Sequence, residues 1–230
     1  MVSCRSLSAS YDEQSLKTHA LANRVHSFSS REARSRYVAR RFQTYLSDSL
    51  LDVGCFEAPL RDILEGIGYT GIDVAGKPDV RLNLENCTEL PFTTGEFHCV
   101  ICIDVLEHLD NMHAIFDEIV RVAKRYIIIS LPNCWRDARR PIERGKGTFA
   151  HYGLPVDPPM DRHKWFFNYT QAREFIERQS QKNSLGIVEM FATEKPKPWP
   201  ARAFRKILYQ GERYRNRYTQ TVWAVYEKHK

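Results

Sequence analysis

The chain has 230 residues, 43% of them hydrophobic and 27% charged, with a formal net charge of +6. That length suits one α/β domain with insertions rather than two independent domains, and the even charge mixture excludes a disordered chain. No run approaches the ~20 apolar residues that span a bilayer. The N-terminal MVSCRSLSASYDEQSLK lacks the apolar middle of a secretory signal, so a cytoplasmic protein is expected.

Residues 1–47 read as an N-terminal helical extension: a polar, weakly periodic stretch over 1–30 with room for a short helix, then an amphipathic helix over 31–47. In that helix Tyr37, Val38, Phe42, Tyr45 and Leu46 recur at helical spacing, and the arginines between them form a basic outer face. From Ser49 onward strands and helices alternate. SLLDVG is a buried strand ending in glycine, APLRDILEGIG a short helix with Pro59 in its first turn, and YTGIDV a second strand. DVRLNLE and FHCVICIDVL are the third and fourth strands, residues 111–124 a helix with one apolar face, and RYIIISLPN a fifth strand.

The second half is less regular. Residues 133–167 read as a proline-containing loop, and a helix starts at Asn168 with Gln171 completing a capping pair. LGIVEMFAT is a strand, 194–217 an irregular basic insertion, and TQTVWAVYEK a last strand that pairs antiparallel with the one before it. The six cysteines are scattered, as in a reduced compartment. Cys99 and Cys102 mimic a C-x-x-C pair, but inside a strand their side chains point to opposite faces, which excludes a shared metal site.

Alternating strands and helices imply parallel pairing, with ligands outside the carboxyl ends of the strands. Gly54 lets the backbone turn sharply beneath a ligand. Asp73 ends the second strand, where a carboxylate can accept hydrogen bonds from both hydroxyls of a ribose. Asn83 ends the third strand, where an amide can meet the amine of an adenine.

With LLDVGC (50–55), TGIDV (70–74), LNLENCTELPF (82–92), FHCVICIDVLEHLD (97–110) and YIIISLPN (126–133) in this order, the chain resembles the class I, Rossmann-like S-adenosylmethionine-dependent methyltransferases, in the type 11-like branch with the LEH signature. The resemblance implies a doubly wound α/β fold with a mostly parallel seven-stranded sheet and an antiparallel last strand. The methyltransferase domain would span 48–230, with insertions at about 133–167 and 194–217. It also implies S-adenosylmethionine as cofactor. Asp52 and Gly54 would line its methionine end, with Cys55 and Phe56 in the turn. Asp73 would hold the ribose beside Val74, Asn83 and Leu84 would flank the adenine, and Asp104 would approach the amine or the methyl. The chain departs from the family at Phe56 and Ala58, which stand where two further glycines are usual. The G-x-G-x-x-G of a nicotinamide site is absent.

Methyl transfer needs the acceptor held behind the sulfonium methyl, and an oxygen acceptor gains from a base of near-neutral pKa. His108, His151 and His163 are the candidates, against the plainer readings of a helix-start residue for His108 and a packed anchor for His163. Asp104, Glu107 and His108 also resemble the E-x-x-E-H clusters that hold a divalent metal in small RNA 2′-O-methyltransferases and in some quinone O-methyltransferases, though no residue is assigned here as a metal ligand. The lack of an N/D-P-P-Y turn after the fourth strand favours oxygen over nitrogen. The basic insertions point to an anionic acceptor, either a small or glycan-type molecule or RNA, and residues 201–217 suit peripheral contact with an anionic membrane. The alternatives to small-molecule O-methylation are a metal-dependent RNA 2′-O-methyltransferase and a non-catalytic module whose pocket Phe56 blocks. No motif specifies an oligomeric state.

Overall fold

The computed structural model describes residues 23–28, 30–149, 151–159 and 161–229. The polar stretch expected to hold a short helix lies, over 1–22, outside the described residues; its end, Asn23–Val25, is a strand, β1. The elements then run α1 (Arg31–Arg41), β2 (Ser49–Val53), α2 (Pro59–Ile63), β3 (Gly68–Asp73), β4 (Val80–Arg81), β5 (Phe97–Ile103), α3 (Met112–Val122), β6 (Ala123–Pro132), α4 (Cys134–Arg144), α5 (Tyr169–Lys182), β7 (Leu185–Glu194), α6 (Trp199–Leu208), α7 (Gly211–Tyr218) and β8 (Thr219–Lys228). Among the described residues no helix is long and apolar enough to cross a membrane.

The strands form one sheet in the order β1-β7-β8-β6-β5-β2-β3-β4. The seven expected strands are present and β1 adds an eighth at the edge, parallel to β7. Only β8 runs antiparallel, against both β6 and β7. Chain order reverses between the neighbours β2 and β5, so the crevice at their carboxyl ends is where a ligand of such a sheet is held.

Strand periodicity sorts the core onto two faces. Val100 and Cys102 face one apolar cluster, with α3 and α5 packed on it. Cys99 and Ile101 face the other, beneath α1 and α2. The two cysteines are therefore on opposite sides of the sheet, as their spacing requires. On α3 the residues Met112, Ile115, Phe116, Ile119 and Val122 are buried, the stripe that a helical period of 3.6 places on one side. α5 begins with a complete capping box, Asn168 accepting from the Gln171 amide and the Gln171 side chain accepting from the Asn168 amide.

Three expectations need correction. α1 is shorter than 31–47, and its arginines do not all face outward: Arg34 and Arg41 turn in, to Asp104 and Glu189. The stretch 133–167 is not all loop. α4 forms because Asn133 caps it and Gly145 ends it at φ 62°, while the interior Pro141 is tolerated. The insertion at 194–217 is two helices, α6 and α7, started by Pro200 in a first turn and by Gly211 respectively. β7 and β8 thus pair as a hairpin across a helical excursion.

Candidate functional site

The site is built from the turns after β2, β3 and β5, and from α1 lying over them. Gly54 sits at φ +79°, and a Cβ there would come 2.3 Å from Cγ2 of Val105, so the turn requires glycine on two counts. Phe56 and Ala58 hold φ 49° and 50°. They keep the left-handed backbone that glycines would adopt freely, at a cost of roughly 1–2 kcal/mol each. Phe56 is held there by its amide, which donates to Asp73 Oδ2 at 2.8 Å, while Ala75 donates to Asp73 Oδ1 at 2.9 Å. The Phe56 ring is 38% exposed and lies under the guanidinium of Arg31, 4.5 Å from its centroid. It walls the cleft without closing it.

That cleft, about 380 Å³, is lined by Asp52, Gly54, Cys55 and Phe56 together with Arg31 and Arg34 of α1. Burial pushes the Asp52 carboxyl up to about 6, although the Tyr69 hydroxyl donates to it at 2.7 Å and Arg34 is near. Burial likewise pushes the Cys55 thiol up to about 12.

At the end of β5, Asp104 takes φ 52°. Its carboxylate accepts from Ser130 Oγ at 2.5 Å and from Arg34 Nη1 at 2.6 Å. A short 3-10 turn over Leu106–His108 follows. Glu107 is 1% exposed, and among the described residues no donor from another residue reaches hydrogen-bond distance of either carboxylate oxygen, His108 Nε2 lying 3.9 Å from Oε1. Burial, then the charge of Asp104, hold its carboxyl well above the usual range.

His108, His151 and His163 come together around it. The His108 and His163 rings are 4.5 Å apart, and His163 stacks on His151 at 4.5 Å. Asp161 binds two of them, with Oδ1 2.7 Å from His108 Nδ1 and Oδ2 3.4 Å from His151 Nδ1. Burial lowers the pKa of His108 against the opposing charge of Asp161. Burial, reinforced by the other two imidazoles, pushes His163 down to about 3. The Tyr152 hydroxyl lies 3.1 Å from His163 Nδ1. Glu107, His108 and His163 offer ligand atoms all within 4.8 Å of one another, a geometry able to hold a cation.

These groups line a second, polar cavity of about 580 Å³ that shares Arg31 and Arg34 with the first. The structure therefore joins the three histidines and Asp104 in one chamber, and Asp52, Gly54, Cys55 and Phe56 in the next. Asp73 touches the first chamber through the Phe56 amide. Val74, Asn83 and Leu84 lie off both: Val74 is 56% exposed, Leu84 is buried in the core, and Asn83 caps the turn after β4 by accepting from the Glu85 amide at 3.0 Å.

Arg31, Arg34, Asp161 and Tyr152 were not singled out from the sequence. The two arginines sit three apart in a helix whose arginines were expected to form a basic outer face. Asp161 precedes His163 by two positions, a spacing that signals nothing until the loop folds back on His108.

Residues 51–129 match a family model described as a methyltransferase domain. No curated protein matches the sequence. Among solved structures, a SAM-dependent methyltransferase from Archaeoglobus fulgidus is 18% identical, with a TM-score of 0.58 over 86% of this chain and 95% of that one. The small RNA methyltransferase HEN1 is 16% identical, with a TM-score of 0.58 over 91% of this chain and 27% of that one. Magnesium protoporphyrin IX methyltransferase from Synechocystis PCC 6803 is 16% identical, with a TM-score of 0.50 over 84% and 82%. Sheet order and glycine turn agree with the fold of these Rossmann-like methyltransferases, and residues 51–129 are similar to a methyltransferase domain.

Proposed function

We propose that the chain methylates a hydroxyl of a small anionic, glycosyl-type acceptor, with His108 as the base. The observation that carries this reading is the meeting of the two chambers at Arg34, with a neutral imidazole on the acceptor side. The turn after β2 suits an adenosyl group: it is free of a Cβ at Gly54, and Asp73 keeps lone pairs beyond those its two amide donors use. S-adenosylmethionine supplies a sulfonium methyl open to in-line displacement.

His108 Nδ1 faces the Asp161 carboxylate, which favours the proton on that nitrogen and leaves Nε2 with its lone pair. Nε2 takes the acceptor's hydroxyl proton as the O–CH3 bond forms and the S–CH3 bond breaks. Asp161 steadies the resulting imidazolium. His163, pushed down to about 3, stays neutral at pH 7 but is too weak a base for the same task, so it serves as a wall of the chamber and a hydrogen-bond partner of Tyr152. Arg31 and Lys195 line the acceptor chamber and form no ion pair among the described residues, which leaves them to meet an anionic acceptor.

The test is transfer of labelled methyl from S-adenosylmethionine to sugar phosphates, lipid-linked glycans and RNA, with and without chelator. Label in an alkali-stable methyl ether of an anionic glycan supports the reading. Cofactor binding by calorimetry without transfer to any acceptor supports a non-catalytic module instead. A second reading, metal-dependent RNA 2′-O-methylation, draws on the buried Glu107 beside His108 and His163. In that reading the three residues hold a divalent cation, and transfer goes to RNA and stops with chelator. The likeness to HEN1 speaks for the fold alone.

A further inference from the structure

We propose that the face made by α4, α6 and α7 docks on an anionic lipid bilayer. α6 buries none of its residues in the chain. Its large apolar side chains turn to solvent, with Trp199 79%, Phe204 62%, Ile207 72% and Leu208 52% exposed. At 100° per residue these positions fill one half of the helix, and Arg202, Arg205 and Lys206 fill the other. A helix of that pattern lies flat in a membrane interface, its apolar half among the acyl chains.

Its neighbours extend the surface. Tyr218, at the end of α7, is flanked by Arg205 of α6 at 4.6 Å and Arg139 of α4 at 5.4 Å, so the three helices share one side of the molecule. Between α4 and α7 runs a groove of about 440 Å³, walled by Trp135, Ile142, Phe166 and Tyr209. Trp135, Ile142 and Phe166 are 47%, 67% and 48% exposed. An apolar area of this extent on a water-facing surface marks a contact site.

Charge selects the occupant. Arg213 lines the groove, and Lys197 and Lys206 lie just before and on α6; none of the three forms an ion pair among the described residues. Two copies meeting through this face would set those cations against each other, whereas an anionic bilayer satisfies both the cations and the apolar groove. The face also borders the acceptor chamber, because Arg136 and Asp137 of α4 line it. If the methyl acceptor is the anionic glycosyl compound proposed above, docking brings it from the headgroup layer. The docking itself does not depend on that chemistry.

The full chain is sedimented with vesicles of phosphatidylcholine and of 3:1 phosphatidylcholine–phosphatidylglycerol. Partition to the anionic vesicles is expected to be stronger by at least about tenfold, and to weaken with salt. Phe204→Glu/Ile207→Glu should reduce it by at least about tenfold, since both side chains are exposed in the free chain and only the docked state loses them. Lys206→Glu/Arg213→Glu should remove the preference for anionic lipid. Circular dichroism and cofactor binding, unchanged in both variants, separate loss of docking from loss of fold or of the methyltransferase reading. Equal partition to the two vesicles, partition unmoved by Phe204→Glu/Ile207→Glu, or a soluble dimer that this variant dissolves would each overturn the proposal.

Discussion

Arg34 on α1 and Asp104 at the end of β5 are joined by a contact of 2.6 Å between Nη1 and Oδ2, across 70 residues of sequence. Both side chains are about a quarter exposed, so the pair is worth more than a surface bridge but adds little to global stability. Its weight is positional. It lays α1 across the junction of the two chambers and holds Asp104 in a left-handed backbone conformation. Arg34→Ala should lower kcat/KM by about tenfold to a hundredfold, the loss of one charge-assisted hydrogen bond, with the melting temperature moved by only a few degrees. Arg34→Lys should recover part of the activity, since a single nitrogen makes the contact. Steady-state kinetics and thermal scans check both.

Gly54→Ala should destabilise the fold by about 2–4 kcal/mol, combining the left-handed backbone penalty with the clash on Val105. Adding Val105→Ala removes the clash and not the backbone penalty. The double variant should therefore regain stability, beyond the sum of the single effects, in urea denaturation.

Asp73→Ala removes the acceptor of the Phe56 and Ala75 amides. Calorimetry should show cofactor affinity reduced by about tenfold to a hundredfold, as loss of a charged hydrogen-bond acceptor implies. Asp73→Asn retains one acceptor oxygen and should fall between.

The rate should carry an acidic limb from His108. Its pKa is lowered by burial, so kcat/KM should rise through a midpoint below 6.5 and be level at neutral pH. His108→Gln should abolish the limb and about 99% or more of the rate. Asp161→Asn removes the charge that raises the His108 pKa, so the limb should move to lower pH. A limb that stays in place in Asp161→Asn would show that another group titrates.

Stability against acid has two opposed contributions. His163 has a folded pKa of about 3 against 6.5 unfolded, so the unfolded chain takes the proton first. Its contribution is intact above 6.5 and is lost as pH falls toward 3, at no more than about 1.4 kcal/mol per pH unit and less with solvent access. Asp52, at about 6 against 3.8, works the other way: its contribution is full below 3.8 and is lost as pH rises through 6. His163→Asn should flatten the acid loss, and Asp52→Asn should steepen the net fall of stability between pH 6 and 4. Denaturation midpoints across pH 3–8 separate the two.

The sheet was legible because apolar runs such as LLDV and YIIIS can be buried only as strands of a covered parallel sheet. β4 is where this failed in part. The alternating DVRLNLE yields only Val80–Arg81 as strand, because the Asn83 side chain caps a 3-10 turn and ends the ladder. α4, α6 and α7 were illegible for another reason. Their apolar residues, Trp135, Ile142, Phe204 and Ile207 among them, face solvent rather than the core, and Pro141, Pro198 and Pro200 interrupt the pattern.

Local sequence determined which segments become strands, the turn at Gly54 and the identity of the three candidate histidines, since backbone conformation and hydrophobic period are properties of neighbouring residues. Which groups meet was decided only by the tertiary structure. Asp161 reaches His108 and His151 because a loop closes over the carboxyl end of β5, and Arg34 reaches Asp104 because α1 packs Val38 and Phe42 against the sheet. Contacts of that kind arise from the packing of distant segments, to which no spacing along the chain corresponds.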